Sequence, residues 1–326
     1  MRARVNQEVP ATPGIYRFLD REGSIIYIGK SVNLRRRMAS YLTESLEGME
    51  GRTRRMVYNA ADFSFQATTS ELEALMLEDR LIKEQMPPYN IRQKQMHLVR
   101  YLYLTEDRFP ALRAIDYTQK QDRTRVFGPF RNGYLVENLL ELISRHFKLR
   151  SCAGSLPGCG SRKTSCINHE LGLCVGACRG AVSPEDYARL VQRVTRFLEG
   201  DDSEIVVLLN EIMSRDAASL AYEHAARTRD LLEFCERFCR RQRFLRAFER
   251  GTIVVREEGK PPSTHFFHHG IYRHCKGKLT ERRMEKEVDL LRRRSHGGVA
   301  DDRITFDRAE IVYRWLQRNR SEMLVL

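Results

Sequence analysis

The stretch GIYRFLDREGSIIYIGKSVNLRRRMASYL, residues 14–42, decides how the N-terminal part of the chain folds. Two short apolar runs flank a polar turn at residues 21–24, and this pattern predicts a pair of neighbouring strands. Each run carries a tyrosine, Tyr16 on the first and Tyr27 on the second. In residues 31–42 apolar side chains recur every three or four positions, which predicts a helix. The stretch therefore predicts two phenols on paired strands, followed by an arginine-rich helix.

The charge balance indicates a polyanionic partner. The chain has 326 residues, and its 56 Lys+Arg against 43 Asp+Glu give a formal net charge of +13. Such a surplus is typical of proteins that bind nucleic acid; a generally basic surface without a dedicated partner is the alternative. No apolar run of about 18 residues is present, so we expect no membrane span. We find no secretory signal either, and therefore expect the eight cysteines to lie in a reducing cytoplasm, near the nucleoid.

Changes in periodicity predict an α+β protein built from four segments. In the first segment, a helix begins at Thr69 or Ser70 with Glu73 as its capping partner, and a pair of prolines ends it. The four segments are a small α/β unit at residues 10–95, connecting strands with a cysteine-rich region at 96–200, a helical hairpin at 203–240 and a basic segment of unknown role at 241–326.

Five side chains of the first segment suit the hydrolysis of a phosphodiester, which needs a base for water and a cation for the phosphate. Tyr16 and Tyr27 could place their hydroxyls on one face of the sheet, and Lys30 could lower the pKa of Tyr27. Arg37 suits bidentate contact with a phosphate. Glu78, on an otherwise apolar helix face, could hold Mg²⁺. Taken singly, each residue is more typical of packing or of a solvated surface, and only their joint occurrence favours the functional interpretation.

A second cluster of chemically active residues follows in the cysteine-rich region. Cys152, Cys166, Cys174 and Cys178 lie within 27 residues of one another, and Cys159 lies inside the first gap. Closely spaced thiolates laced with glycine can enclose a metal centre. The spacing alone favours zinc and an iron–sulfur cluster equally.

The N-terminal segment resembles the GIY-YIG nuclease domain of the UvrC repair endonucleases. The matching residues are 12–16, 27–31, 33–37, 40–41, 73–78, 81–83 and 88–90. The resemblance implies that Tyr27, helped by Lys30, is the general base for the attacking water. It also implies that Tyr16 and Tyr41 shape the water and phosphate site, and that Arg37 stabilises charge on the phosphate.

The same resemblance implies a metal ligand and a DNA-binding surface. Glu78 would hold Mg²⁺ or Mn²⁺, and Asn90 would support the site from the end of the domain. The residues implied to contact DNA are Lys30, Arg35, Arg36 and Arg37.

The later segments also carry features of the UvrC family. The cysteine-rich region looks like the one held to bind a [4Fe–4S] cluster, with Zn²⁺ as the alternative and Cys159 as a possible substitute for Cys152. Residues 203–240 look like the UVR motif, which contacts the helicase UvrB, and here Tyr222, Ala225 and Arg229 would make that contact. After residue 240 the resemblance fades, so we expect a short UvrC homologue, similar to the Cho endonuclease.

The resemblance implies one metal-dependent incision of double-stranded DNA, 3′ to a lesion, in nucleotide excision repair with UvrB. We expect a monomer. Two alternatives remain at this point: a UvrB-independent GIY-YIG nuclease that acts on branched or foreign DNA, and a repair protein that binds but does not cut.

Overall fold

The computed structural model describes residues 1–42, 50–91, 99–120, 123–153, 166–295, 302–319 and 321–326. The chain divides into two compact units. The first unit combines Met1–Met96 with Leu245–Leu326, and the second is His97–Phe244. No helix in these ranges is both long enough and apolar enough to cross a membrane.

Both units contain helices and strands. The helices are α1 (Arg2–Glu8), α2 (Leu34–Tyr41), α3 (Gly51–Asn59), α4 (Glu71–Gln85), α5 (Gly133–Leu142), α6 (Ile167–Glu170), α7 (Pro184–Leu198), α8 (Ser203–Ala218), α9 (Tyr222–Arg250), α10 (Glu281–Ser295) and α11 (Asp302–Leu316). The strands are β1 (Gly14–Leu19), β2 (Ile25–Ser31), β3 (Asp62–Ala67), β4 (Arg100–Leu104), β5 (Leu112–Asp116), β6 (Val126–Phe130), β7 (Thr252–Glu257), β8 (Ser263–His268), β9 (Ile271–Lys276) and β10 (Glu322–Val325).

The N-terminal part of the first unit is an antiparallel sheet in the order β2-β1-β3. Its register pairs Phe18 with Tyr27 and Tyr16 with Gly29. Because side chains alternate between the two faces of a strand, Tyr16 and Tyr27 lie on the same face. The predicted strand pair, the helix that follows it and the shared face of the two phenols are confirmed.

Helix α4 begins and ends as its sequence predicts. The Ser70 hydroxyl accepts a hydrogen bond from the Glu73 amide at 3.1 Å, which caps the first turn. At the other end Met86 adopts a left-handed conformation, with φ of 48°, and the prolines that follow cannot continue the helix. One face of α4 packs Leu81 and Ile82 against the apolar side chains of β1 and β2. The helix is thereby fixed to the sheet that carries the two tyrosines.

Residues 245–326 belong to the same compact unit as this sheet. They form an antiparallel sheet in the order β10-β7-β8-β9, and α10 packs Val288 and Leu291 against Val254 and Phe266 of that sheet. The sequence indicated only two weak strands, a basic stretch and one final helix here. It missed β10, since a four-residue strand at the chain end carries too short an alternation to be recognised.

The second unit has one continuous core. Its sheet has the order β5-β4-β6, and apolar side chains of this sheet, of α5 and of α7–α9 belong to a single cluster. Cys235 and Cys239 are fully buried in that cluster, as expected for packing thiols. The cysteine-rich region and the hairpin of α8 and α9 therefore share a core, although the sequence alone placed them in separate segments.

Candidate active site

Three phenols and one arginine meet beside β1 and β2. The hydroxyls of Tyr16 and Tyr41 are 3.0 Å apart. The Arg37 guanidinium donates to Tyr41 at 2.9 Å and, more weakly, to Tyr16 at 3.4 Å. The ring centroids of Tyr16 and Tyr27 are 6.1 Å apart. Asn33 caps α2 by accepting from the Arg36 amide at 3.0 Å, which fixes the turn that carries Arg37.

A glycine makes room for the buried phenol. Gly29 lies opposite Tyr16, and a Cβ atom at this position would be 2.5 Å from the Tyr16 ring and hydroxyl. Any larger residue would displace the tyrosine. This explains why the motif Tyr27-Ile28-Gly29 of β2 ends in glycine, at the position that pairs with Tyr16 of β1.

Glu78 and Asn90 both bind the outer edge of β2, which is one of the two edge strands of the sheet. A Glu78 carboxylate oxygen accepts from the Lys30 amide at 2.9 Å. The Asn90 side chain accepts from the Ile28 amide at 2.9 Å and donates to the Ile28 carbonyl at 2.7 Å. Asn90 therefore holds the backbone next to Tyr27.

Glu78, Tyr27, Tyr41 and Asn90 line one open cleft with a volume of about 390 Å³. The cleft also contains residues that the sequence analysis missed, among them Arg52 in the first turn of α3. The Arg52 guanidinium donates to the Tyr89 carbonyl at 3.0 Å. The spacing of the residues around Arg52 gave no indication that Arg52 would line the same cleft as Tyr27. The one available signal was Tyr89, the partner of Arg52, because it belongs to the segment 88–90 that matches the GIY-YIG domain.

The prediction that Lys30 lowers the pKa of Tyr27 is wrong. The Lys30 ammonium lies 2.6 Å from a carboxylate oxygen of Glu71. The pKa of Tyr27 is raised, because burial disfavours the phenolate, and Tyr41 and the Glu78 carboxylate act in the same direction. The neutral phenol is therefore the resting form at neutral pH.

The arginines of α2 have different surroundings. Arg37 contacts the phenols, whereas Arg35 donates to the Val9 carbonyl at 2.7 Å and so ties the N-terminal segment to α2. Arg36 is exposed. Of the three arginines that the sequence analysis placed on DNA, only Arg37 is part of the phenol cluster.

The donor set of the cleft suits a hard divalent cation. Mg²⁺ is commonly bound through one or two carboxylates and completes its shell with water and substrate oxygens. Glu78 supplies such a carboxylate from helix α4, and Tyr27 and Tyr41 line the same cleft. The residues present therefore fit one cation, held by Glu78.

The four predicted cysteine ligands line one small cavity. Cys152, Cys166, Cys174 and Cys178 surround it together with Arg150. Burial raises the pKa of the Cys174 thiol, and the neighbouring Cys152 and Cys178 raise it further. Cys159 lies outside the described residues. In the part of the chain that the structure describes, no group of three or more histidine, cysteine or acidic side chains is arranged to hold a metal ion.

The predicted partner residues lie at the start of α9, after the turn that joins it to α8. Leu220 in that turn is 70% exposed and Tyr222 is 65% exposed. Ala225 is half-buried on the next turn, and Arg229 pairs with Asp230 at 2.9 Å. An apolar, exposed hairpin end is thus available for contact.

Comparison with known proteins identifies two regions. Residues 12–91 match the UvrC-like GIY-YIG domain, and residues 99–197 match the middle domain of the UvrC/Cho excinucleases. UvrABC system protein C of Caldicellulosiruptor saccharolyticus is 34% identical over 247 residues, which cover 76% of this chain and 41% of that protein. Its counterpart from Syntrophomonas wolfei is 38% identical over 228 residues, covering 70% of this chain and 37% of that protein.

A crystal structure of the GIY-YIG N-terminal endonuclease domain of UvrC from Thermotoga maritima, bound to its catalytic divalent cation, magnesium, is 33% identical, with a TM-score of 0.25. The match covers 28% of this chain and 94% of that one. The chain spans 37–41% of the length of the two curated relatives above. The resemblance seen in the two tyrosine motifs is confirmed: residues 12–91 belong to the UvrC-like GIY-YIG family, and residues 99–197 to the middle domain of the UvrC/Cho excinucleases.

Proposed function

We propose that the protein is a divalent-cation-dependent endonuclease that makes a single incision in one strand of damaged DNA, 3′ to the lesion. One observation carries the proposal. Arg37 binds the hydroxyl cluster of Tyr16 and Tyr41, and Tyr41 and Tyr27 line the same cleft as Glu78. A base, a phosphate ligand and a cation ligand thus come together where a phosphodiester can enter.

Each side chain of the cleft has one role in this proposal. Tyr27 orients the attacking water through its hydroxyl, and it accepts the proton of that water as a phenolate, after its own phenolic proton has passed to solvent. Tyr16 and Tyr41 hold Arg37, whose guanidinium binds the phosphate as negative charge develops. Glu78 holds the cation, which, when bound, polarises the phosphate and stabilises the leaving oxygen. Lys30, held by Glu71, supplies a further positive charge beside the cleft.

We propose UvrB as the partner and damaged duplex DNA as the substrate. The curated relatives are components of the UvrABC system, and the exposed hairpin residues Tyr222, Ala225 and Arg229 offer a contact surface. The net charge of +13 supports binding to a polyanion.

A [4Fe–4S] cluster at Cys152, Cys166, Cys174 and Cys178 is proposed as a cofactor, with Zn²⁺ as the alternative. The shared cavity of the four thiols supports it. Anaerobically purified protein should be brown and absorb near 400 nm with a bound cluster. Colourless protein that contains stoichiometric zinc would favour the alternative.

The test is incision of an end-labelled duplex that carries one bulky lesion, with Mg²⁺ or Mn²⁺ and with or without UvrA and UvrB. Glu78→Gln should abolish cutting and leave DNA binding nearly intact, whereas the matched variant Glu22→Gln, in an exposed turn, should cut normally. A UvrB-dependent nick 3′ to the lesion supports the proposal. Cutting of branched DNA without UvrB would favour an independent nuclease, and no cutting of any substrate would favour a binding protein.

A further inference from the structure

Residues 251–326, here called the C-terminal module, lie beyond both family matches, which end at residues 91 and 197. The module consists of β7–β10, α10 and α11. It belongs to the same compact unit as the sheet that carries Tyr16 and Tyr27. Its contacts with that part of the unit are concentrated on α4, the helix that presents Glu78.

The first group of contacts lies at the N-terminus of α4. Glu257 of β7 accepts a hydrogen bond from the Glu71 amide at 3.2 Å, so a carboxylate of the module meets the positive end of the helix. The other Glu257 oxygen lies 3.1 Å from Nε2 of His265, which is also 3.3 Å from the hydroxyl of the capping residue Ser70. His265 is fully buried.

A second histidine adds to the contacts at this end of the helix. Nε2 of His274 lies 3.2 Å from the Thr69 hydroxyl, and its Nδ1 lies 3.4 Å from a Glu73 oxygen. Burial would raise the pKa of Glu73, but hydrogen bonds from His274 and Thr69 outweigh it and lower the pKa to about 2. The Ser263 hydroxyl lies 3.3 Å from that of Thr69. The module thus binds the first turn of α4 through several directional contacts.

The last contact lies in the C-terminal half of α4. The Lys83 ammonium lies between Asp79 of its own helix, at 2.7 Å, and Asp307 of α11, at 2.9 Å. Lys83 is 12% exposed, and both aspartates are 6% exposed. Removing one partner from a buried ion pair is strongly destabilising, so this contact tolerates little displacement.

Glu78 of the cleft belongs to the helix between these contacts, and the nearby Lys30 bonds to side chains of that helix. Glu78 lies one residue before Asp79 and binds the Lys30 amide, while Glu71 binds the Lys30 ammonium and gives its own amide to Glu257. We propose that the C-terminal module holds α4 at both ends and thereby sets the position of Glu78 in the cleft and of Lys30 beside it. Glu257 and Asp307 are the positioning residues. Their effect on incision rests on the proposed nuclease function, but their effect on geometry does not.

The experiment uses the full chain with Glu257→Ala and Asp307→Ala, and with Glu258→Ala and Asp289→Ala as matched controls at exposed positions of the module. Glu257→Gln retains an acceptor for the Glu71 amide and serves as the conservative variant. Circular dichroism and thermal melting first show that each protein is folded. All further measurements are made well below its unfolding transition. The first readout is hydrogen exchange at the Lys30 amide, which reports its bond to Glu78 without a metal. The second is the affinity for Mn²⁺ alone, measured by titration.

We expect exchange at Lys30 to accelerate about tenfold, which is the effect of weakening one hydrogen bond, and the Kd for Mn²⁺ to rise about tenfold. The controls should match the wild type, and Glu257→Gln should recover most of both effects. Wild-type exchange and Mn²⁺ affinity in folded Glu257→Ala and Asp307→Ala would overturn the inference and leave the module a purely stabilising role. A wild type that binds no Mn²⁺ or cuts no DNA would refute the proposed function, while exchange at Lys30 would still decide the inference.

Discussion

At the residue scale, the site depends on how little space surrounds its hydroxyls. Tyr16 is 1% exposed and Tyr41 is 6% exposed, so their hydroxyls must bond within the protein, and they bond each other and Arg37. Buried polar groups without partners cost free energy. The same hydrogen bonds that satisfy the phenols therefore orient the guanidinium.

Arg37→Lys should reduce incision about 100-fold, as expected when a positioned donor to a developing charge is lost. Lysine keeps the charge but cannot bind both phenols and a phosphate through a planar fork. The rate at saturating DNA and metal measures the effect. Arg36→Lys, one residue away and exposed, is the control, and equal rates for the two variants would contradict the assignment.

Gly29→Ala should lower the free energy of unfolding by about 1–3 kcal/mol, the usual cost of overpacking. The added methyl group would lie 2.5 Å from the Tyr16 ring, and the displaced phenol should also reduce activity. Urea denaturation measures the change. In contrast, Gly51→Ala adds a methyl group with nothing within 4 Å and should leave stability nearly unchanged.

At the element scale, α4 contacts two sheets, β2-β1-β3 and β10-β7-β8-β9. The sequence predicts the first of these contacts better than the second. The cap of α4 at Ser70 and its end before Pro87 follow from local rules, and so do β1 and β2. The grouping of Tyr16, Tyr27 and Glu78 came instead from the resemblance to the GIY-YIG domain. The partners of the polar face of α4 come from residues some 190 positions away, such as His265 with Ser70. Local patterns do not encode such long-range pairs. For the same reason the salt bridge of Lys30 with Glu71 was missed, since Lys30 was assigned to Tyr27 by proximity in sequence.

Acidification should weaken the contact between α4 and the C-terminal module. Burial lowers the pKa of His265, although the Glu257 carboxylate acts in the opposite direction. The titratable groups that face it are Glu257, Tyr272, His274 and Glu73. Because the folded pKa is depressed, the stabilisation is complete above about pH 6.5 and is lost as the pH falls below that value.

We therefore expect a lower urea midpoint at about pH 5.5 than at about pH 7.5. The difference should shrink in His265→Gln and persist in His224→Gln, which changes an exposed histidine of α9. An unchanged pH dependence in His265→Gln would assign the effect to another group.

At the scale of the whole molecule, each unit has its own core, and each matches a different part of the UvrC family. The first unit contains the cleft. The second contains the cysteine cavity and an exposed hairpin end, with Leu220 and Tyr222 at its turn. Incision and partner binding can therefore be tested by separate substitutions.

Tyr222→Ala should weaken binding to UvrB by about tenfold or more, because truncating an aromatic anchor commonly costs over 1 kcal/mol. Metal-dependent cutting that does not need UvrB should be unaffected. Tyr58→Ala is the control, since Tyr58 is 84% exposed on α3. Equal UvrB affinity for both variants, measured by biolayer interferometry, would argue against this contact surface.

The outer edge of β2 has a consequence for solubility. An edge strand with unpaired amides can recruit a strand from another molecule and start aggregation. Here the Ile28 amide is bound by Asn90 and the Lys30 amide by Glu78, so two successive outward-facing donors are already occupied by side chains. Asn90 and Glu78 of the cleft thus also protect the sheet from intermolecular pairing. Substitutions that remove their acceptor oxygens would leave the β2 amides free to pair with a strand of another molecule, and would also impair the site.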